Sequence, residues 1–219
     1  MICFSNQEKQ TLRKRMREVL ASIPGDVRLH KSQLLFQQVL AHEFYRKCRG
    51  ISVYVSFGAE PYTKTLIQHA LEIGKVVVVP QILNQPATES NFIELNSLLG
   101  LMRMRRIQCV KEIQIWPLNK FGIREMPQPP LDSMDQDDAL TNLVDLIVVP
   151  GLAFTDSGDR LGRGRGFYDR YLAGLRRFYQ KSLPHLQPPR TMALAYSEQI
   201  LNTICTEEHD AKIDAVICA

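Results

Sequence analysis

Apolar residues recur at helical spacing through the first fifty positions, then shift to short continuous runs separated by a further helical stretch, a pattern that predicts an α/β chain opening on two helices. Leu12, Met16, Val19 and Leu20 mark one face of a helix from Asn6 to Ala21, and Ile23-Pro24-Gly25 supplies breakers. Asp26 can cap a second helix that turns Leu34, Leu35, Val39, Leu40 and Phe44 inward and ends near Gly50. A strand from Ile51 to Ser56 follows. A helix then carries Leu66, Ile67, Ala70, Leu71 and Ile73 to a stop at Gly74, and the run Val76 to Val79 closes at Pro80. Connections this short make a β-α-β unit with parallel strands and a right-handed crossover. Leu143 to Pro150 is nearly all apolar, as a strand covered on both faces must be, and Met192 to Tyr196 and Ile213 to Cys218 read as further strands. The stretch from Gln81 to Asp138 has no clear period. Its Pro127-Gln-Pro-Pro130 run, followed by Asp132, Asp135, Asp137 and Asp138, reads as an exposed loop. The expected architecture is a three-layer α/β sandwich around a mostly parallel sheet with an N-terminal helical pair, one domain spanning 1–219.

At 219 residues and 45% hydrophobic, the chain can bury a sizeable core. A net charge of +4 is too mild to imply a nucleic-acid or membrane partner without a clustered basic face. A monomer acting on an anionic small molecule fits better. Cys3, Cys48, Cys109, Cys205 and Cys218 form no C-x-x-C pair and no ligand spacing with histidine, so neither zinc nor a disulfide framework is expected. The absence of a long apolar run points to a cytoplasmic protein. Arg13, Arg15 and Arg17 are also what a mitochondrial presequence carries, but Glu8 and Glu18 interrupt them.

Candidate chemistry concentrates between Asp159 and Leu172, after a buried strand and leading into a helix with Tyr171, Leu172, Leu175 and Phe178 on its apolar face. Gly162, Gly164 and Gly166 alternate with Arg163 and Arg165, so the backbone can turn its N–H groups on an anion while guanidinium groups add charge. The following helix N-terminus contributes a partial positive charge at the same place. A phosphate site is the natural reading. A glycine-rich turn with solvated arginines, or an RNA-binding tract, would use the same residue types.

The sequence resembles the 5-formyltetrahydrofolate cyclo-ligase family, also called methenyltetrahydrofolate synthetase. The resemblance rests on Pro150-Gly-Leu-Ala-Phe-Thr155 and above all Arg160-Leu-Gly-Arg-Gly-Arg-Gly-Phe-Tyr-Asp169, supported by the Lys9 region, Ser56-Phe-Gly-Ala-Glu60, Ala193 to Gln199 and His209 to Asp214. It implies ATP as co-substrate, bound by Lys9, Gln10, Thr11, Leu12 and Arg13 and by the loop Arg160, Leu161, Gly162, Arg163, Gly164, Arg165, Gly166, Phe167 and Tyr168. It implies magnesium on Asp169 and Asp210, and a reduced folate contacted by Val55, Glu60 and the loop from Arg163 to Phe167, with polyglutamate preference left open. In the family the N5-formyl oxygen attacks the γ-phosphate of ATP, N10 attacks the resulting imidate carbon, and phosphate leaves as the ring closes. Arg163 and Arg165 are then the candidate catalytic side chains, with Arg163 expected to meet the phosphate. Relatives carry an aromatic residue where Ile82 stands, and Phe121 occupies a second aromatic position; neither is assigned a role. Without a structural partner in view, Asp→Asn at 169 or 210 is expected to lower turnover with little loss of stability.

Overall fold

The computed structural model describes residues 6–83, 98–118, 124–128, 137–141, 143–207 and 210–219. Phe121, Asp132, Asp135 and His209 lie outside the described residues. In chain order the helices are α1 (Asn6–Ser22), α2 (Gly25–Ala41), α3 (Glu43–Lys47), α4 (Lys64–Glu72), α5 (Val110–Ile115) and α6 (Phe167–Ser182). The strands are β1 (Gly50–Ser52), β2 (Val76–Ile82), β3 (Met102–Ile107), β4 (Leu146–Val148), β5 (Ala153–Phe154), β6 (Arg160–Leu161), β7 (Arg190–Ala195) and β8 (Ala215–Cys218). Six of them form one sheet in the order β3-β2-β1-β4-β7-β8, while β5 and β6 make a separate small hairpin. β3 pairs antiparallel to β2. The pairings of β1 with β2 and β4, of β4 with β7 and of β7 with β8 are parallel.

Successive residues of a strand face opposite ways, and here they divide the core into two layers. Val77, Val79, Leu146, Val148, Met192 and Leu194 meet Met16, Leu20, Leu35, Val39, Tyr45, Leu66 and Ile113 from the helices α1 to α5. Val78, Ile147, Val149, Ala193 and Ala195 meet Tyr171, Leu172, Leu175 and Tyr179 of α6. The three-layer α/β sandwich with a mostly parallel sheet is therefore as expected.

Several local expectations need correction: Pro24, not Asp26, stands at the N-cap of α2, and β1 ends at Ser52 rather than Ser56. Leu34 is 44% exposed whereas Leu35 is buried: the core-facing stripe of this helix runs through Leu35 and Val39, one turn apart, and Leu34, about 100° round from Leu35, falls outside it. The second helix stops at Ala41 instead of running toward Gly50: His42 is extended, and its Nδ1 accepts the Phe44 N–H at 3.2 Å, starting α3 afresh. Finally, the region between β2 and β4 contributes an edge strand and a buried acid. Met102 and Met104 of β3 enter the α6-side core. Asp137 is buried, accepting from Met104 N at 2.9 Å, Ala139 N at 3.0 Å and Tyr171 Oη at 2.9 Å.

Candidate active site at the carboxyl ends of the strands

Chain order reverses between β1 and β4, since β2 lies on one side of β1 and β4 on the other; open α/β sheets place ligands outside the strand carboxyl ends at such a point. Both flanking strands lead there into site segments, 53–60 after β1 and 149–166 after β4. The β5–β6 hairpin aims the glycine loop. Its turn needs Gly158, whose φ is +89° and where a Cβ would lie 2.2 Å from Ile213 O. Ile213 N donates back to Gly158 O at 2.9 Å, which draws the 210–213 segment against the hairpin.

A cleft of about 360 Å³ opens above the hairpin, bounded by Lys9, Arg13, Gly162, Gly164, Gly166, Asp169, Asp210 and their neighbours. Gly166 caps α6 in the left-handed region, so the first turn of a 16-residue helix faces this cleft. Gly164 takes φ +99°, and a Cβ there would stand 3.4 Å from Arg13 Nε. Arg13 donates its Nε–H to Gly162 O at 3.0 Å, pinning the loop to α1. The Lys9 ammonium is buried between Glu207 Oε1 and Asp210 Oδ2, each at 2.8 Å. Burial would depress its pKa, but hydrogen bonds to Asp210 and Glu207 outweigh that and raise it. Arg160 Nη2 lies 2.5 Å from Asp169 Oδ1, and its Nη1 donates to Pro150 O at 3.1 Å. The Ala211 N–H donates to the same Asp169 oxygen at 3.3 Å, which brings Asp169 and Asp210 to one wall.

A second, smaller pocket of about 100 Å³ lies behind the loop, with Phe57, Leu152 and Arg163 in its wall. Glu60 is 5% exposed and accepts on Oε1 from Arg163 Nε at 3.1 Å and Nη2 at 2.7 Å, and on Oε2 from Phe57 N at 3.2 Å. Burial pushes its pKa up, and Arg163 and the Phe57 amide offset that in part. The Arg163 guanidinium also stacks over the Phe57 ring, 4.5 Å from its centroid. Tyr168 holds a buried hydroxyl without a hydrogen-bond partner; burial, then the Glu60 charge, raises its pKa and keeps it protonated.

A family model described as 5-formyltetrahydrofolate cyclo-ligase family matches residues 5–219. The chain belongs to that family. The mouse 5-formyltetrahydrofolate cyclo-ligase is 34% identical over 213 residues, covering 97% of this chain and 94% of the relative. The probable cyclo-ligase of Caenorhabditis elegans is 31% identical over 209 residues, covering 95% and 91%. Among solved structures, the Aquifex aeolicus 5,10-methenyltetrahydrofolate synthetase superposes with a TM-score of 0.69 at 20% identity, covering 96% of this chain and 89% of that one, which supports the fold. This cyclo-ligase is accordingly an enzyme.

Within the cyclo-ligase, the stretch Lys9 to Arg13 divides by helical phase. Lys9 and Arg13, one turn apart, bound the cleft; Gln10 and Thr11 face outward, and Leu12 packs on the core. Arg160, Leu161, Gly162, Gly164 and Gly166 line the cleft, whereas Arg163 turns to the smaller pocket. Arg165 is exposed, its carbonyl accepting from Arg170 Nη2 at 2.9 Å, and Phe167 lies under the Arg170 guanidinium at 5.7 Å. Val55 packs against the α1–α5 core and Ile82 against the α6 core. Glu207 and Cys205 line the cleft without having been singled out from sequence. The acidic run preceding Asp210 was the available signal.

Asp169 and Asp210 are hard oxygen donors on a wall shared with helix-terminal amides, and that set fits magnesium. Among the described residues no cluster of three or more His, Cys, Asp or Glu could hold a metal alone, so phosphate oxygens and water would complete its shell. No helix among the described residues is long and apolar enough to cross a membrane.

Proposed function

We propose that this chain closes 5-formyltetrahydrofolate to 5,10-methenyltetrahydrofolate with hydrolysis of ATP to ADP and phosphate. The observation that carries the reading is one loop shared by two pockets. Gly162 and Gly164 line the polar cleft and Arg163 lines the smaller pocket, so a phosphate in one lies next to a ring system in the other. The triphosphate lies against Lys9, Arg13, the loop amides and the α6 N-terminus, which are aimed before the reaction begins and need no reorganisation. The reduced folate enters the smaller pocket against Glu60 and Arg163. Its formyl oxygen attacks the γ-phosphorus and ADP leaves; N10 then adds to the formyl carbon and loses its proton, and phosphate departs as the ring closes. Fixing the two reactants in adjoining pockets supplies the proximity such a transfer needs. Magnesium, when bound, neutralises charge on the phosphate oxygens, and Asp169 and Asp210 would hold it. Purified protein should show the absorbance rise of methenyltetrahydrofolate with 5-formyltetrahydrofolate, ATP and magnesium together. Conversion without ATP, or none with folded protein, would refute the reading.

A further inference from the structure

The Lys9 ammonium is seated on an acid that the magnesium reading also needs. Lys9 lies near the start of α1, its side chain 7% exposed, and its Nζ donates to Glu207 Oε1 and to Asp210 Oδ2, each at 2.8 Å. All three residues line the polar cleft. Asp210 Oδ2 also accepts the Glu207 N–H at 2.8 Å, so this oxygen already meets two donors. The two carboxylates differ in exposure: the Glu207 side chain is 47% exposed and that of Asp210 18%. Opposite charges attract more strongly where water is excluded, so Asp210 is the firmer of the two anchors.

A divalent cation that takes the Asp210 carboxylate meets a positive charge already seated on it, and two cations on one carboxylate repel. Lysine can yield without leaving the cleft. Its ammonium is a point charge with three donors on a flexible stem, and Glu207 is a second anchor already within hydrogen-bond reach. Accepting the metal and nucleotide reading above, we propose that Lys9 is the resident counter-ion of Asp210 and yields that carboxylate to the metal while Glu207 retains it at the cleft. The empty cleft then disfavours bare metal and takes metal and triphosphate together. A triphosphate supplies what a bare ion lacks, because its oxygens bind the metal and also accept from the displaced ammonium. By linkage, each of the two ligands tightens the other.

The test titrates Mn2+ alone into nucleotide-free protein and reads the free ion by electron paramagnetic resonance. Lys9→Met should tighten Mn2+ by about tenfold, the factor that a hydrogen bond to a charged group is worth. Arg13→Met removes a cation of the same cleft that donates to Gly162 O instead, and should change Mn2+ affinity by less than about threefold. Glu207→Gln holds Lys9 less well, so it should weaken Mn2+ about threefold in the wild-type background and by less than about twofold in the Lys9→Met background. Lys9→Gln, which keeps hydrogen bonds to both acids without the charge, is read in its place if Lys9→Met does not fold. Equal tightening by Arg13→Met would mean that net charge alone governs the cleft, and an equal loss from Glu207→Gln in both backgrounds would make Glu207 a metal ligand; either overturns the assignment. If Asp210→Asn leaves Mn2+ binding of the Lys9→Met protein unchanged, the metal reading itself fails. If it abolishes that binding although Lys9→Met brought no tightening, the counter-ion role alone is wrong.

Discussion

Replacing Asp169 by Asn keeps the side chain's shape and removes its charge, and the structure sets the consequence for stability. Arg160 is 4% exposed at its side chain and Asp169 is 15%, with 2.5 Å between Nη2 and Oδ1. Without the carboxylate, the guanidinium keeps Pro150 O, while its Nε already has no partner. Breaking a buried pair from one side costs about 3–5 kcal/mol, because the surviving charge stays buried. Partial exposure of Asp169 favours the lower end, about 3 kcal/mol. At about 2–4 °C per kcal/mol for a chain of this length, Tm should drop by about 6–12 °C. This is larger than the little stability loss expected from sequence, where the buried Arg160 partner of Asp169 was not in view. Asp210→Asn is milder, about 1–2 kcal/mol, since Lys9 keeps Glu207, itself 47% exposed. Turnover should fall in both variants and recover in part with excess magnesium. Thermal melts followed by circular dichroism, together with a double-mutant cycle through Arg160→Met and Asp169→Leu, measure the pair directly. An Asp169→Asn melting point within about 2 °C of wild type would refute the argument.

The remaining predictions probe other parts of the frame. Gly174→Ala places a Cβ 1.8 Å from Leu98 O, a backbone atom, so overpacking should exceed the roughly 1 kcal/mol gained in helix propensity, with a net loss of about 2 kcal/mol and a lower Tm by melt; a rise would contradict it. Burial raises the pKa of Asp137 from 3.8 to about 6, against its hydrogen bonds and Arg103, so the folded state takes up a proton first as pH falls and this group adds stability below pH 6. Denaturant melts should show the margin of wild type over Asp137→Asn growing by about 2 kcal/mol from pH 7 to pH 4, and a pH-independent margin would exclude the effect. Arg163→Lys keeps charge but loses the fork on Glu60 and the stack on Phe57, so steady-state kinetics should show KM for the folate rising about tenfold and KM for ATP within about twofold, not the reverse.

Where the sequence was legible, the information was local. The run Leu143 to Pro150 could only be a doubly covered strand, and the glycine-arginine alternation after it marked the loop that now bounds both pockets. β3 was hidden because Arg103, Arg105 and Arg106 interleave with its apolar residues and imitate a surface segment. Yet Arg103 is buried, with its Nη1 donating to the Gly100 and Met102 carbonyls at 2.9 Å. The partner of Lys9 was out of reach for a different reason. Glu207 is 198 residues away, and no periodicity connects an acid near one end of the chain to a lysine near the other.

The direction of Arg163 could not be read either, although its neighbours explain it afterwards. Gly162 and Gly164 present bare backbone to the polar cleft, and Gly164 does so at φ +99°, where a side chain would be strained. Their common face leaves the residue between them to project to the opposite side, where the buried Glu60 carboxylate accepts from its Nε and Nη2 as well as from the Phe57 amide. A guanidinium drawn back toward a triphosphate would leave that carboxylate desolvated and unpaired, which costs more than a solvated phosphate contact returns. The loop therefore presents Gly162 and Gly164 to one pocket and Arg163 to the other, so on the function proposed above the two reactants would be held at once without competing for the same side chain.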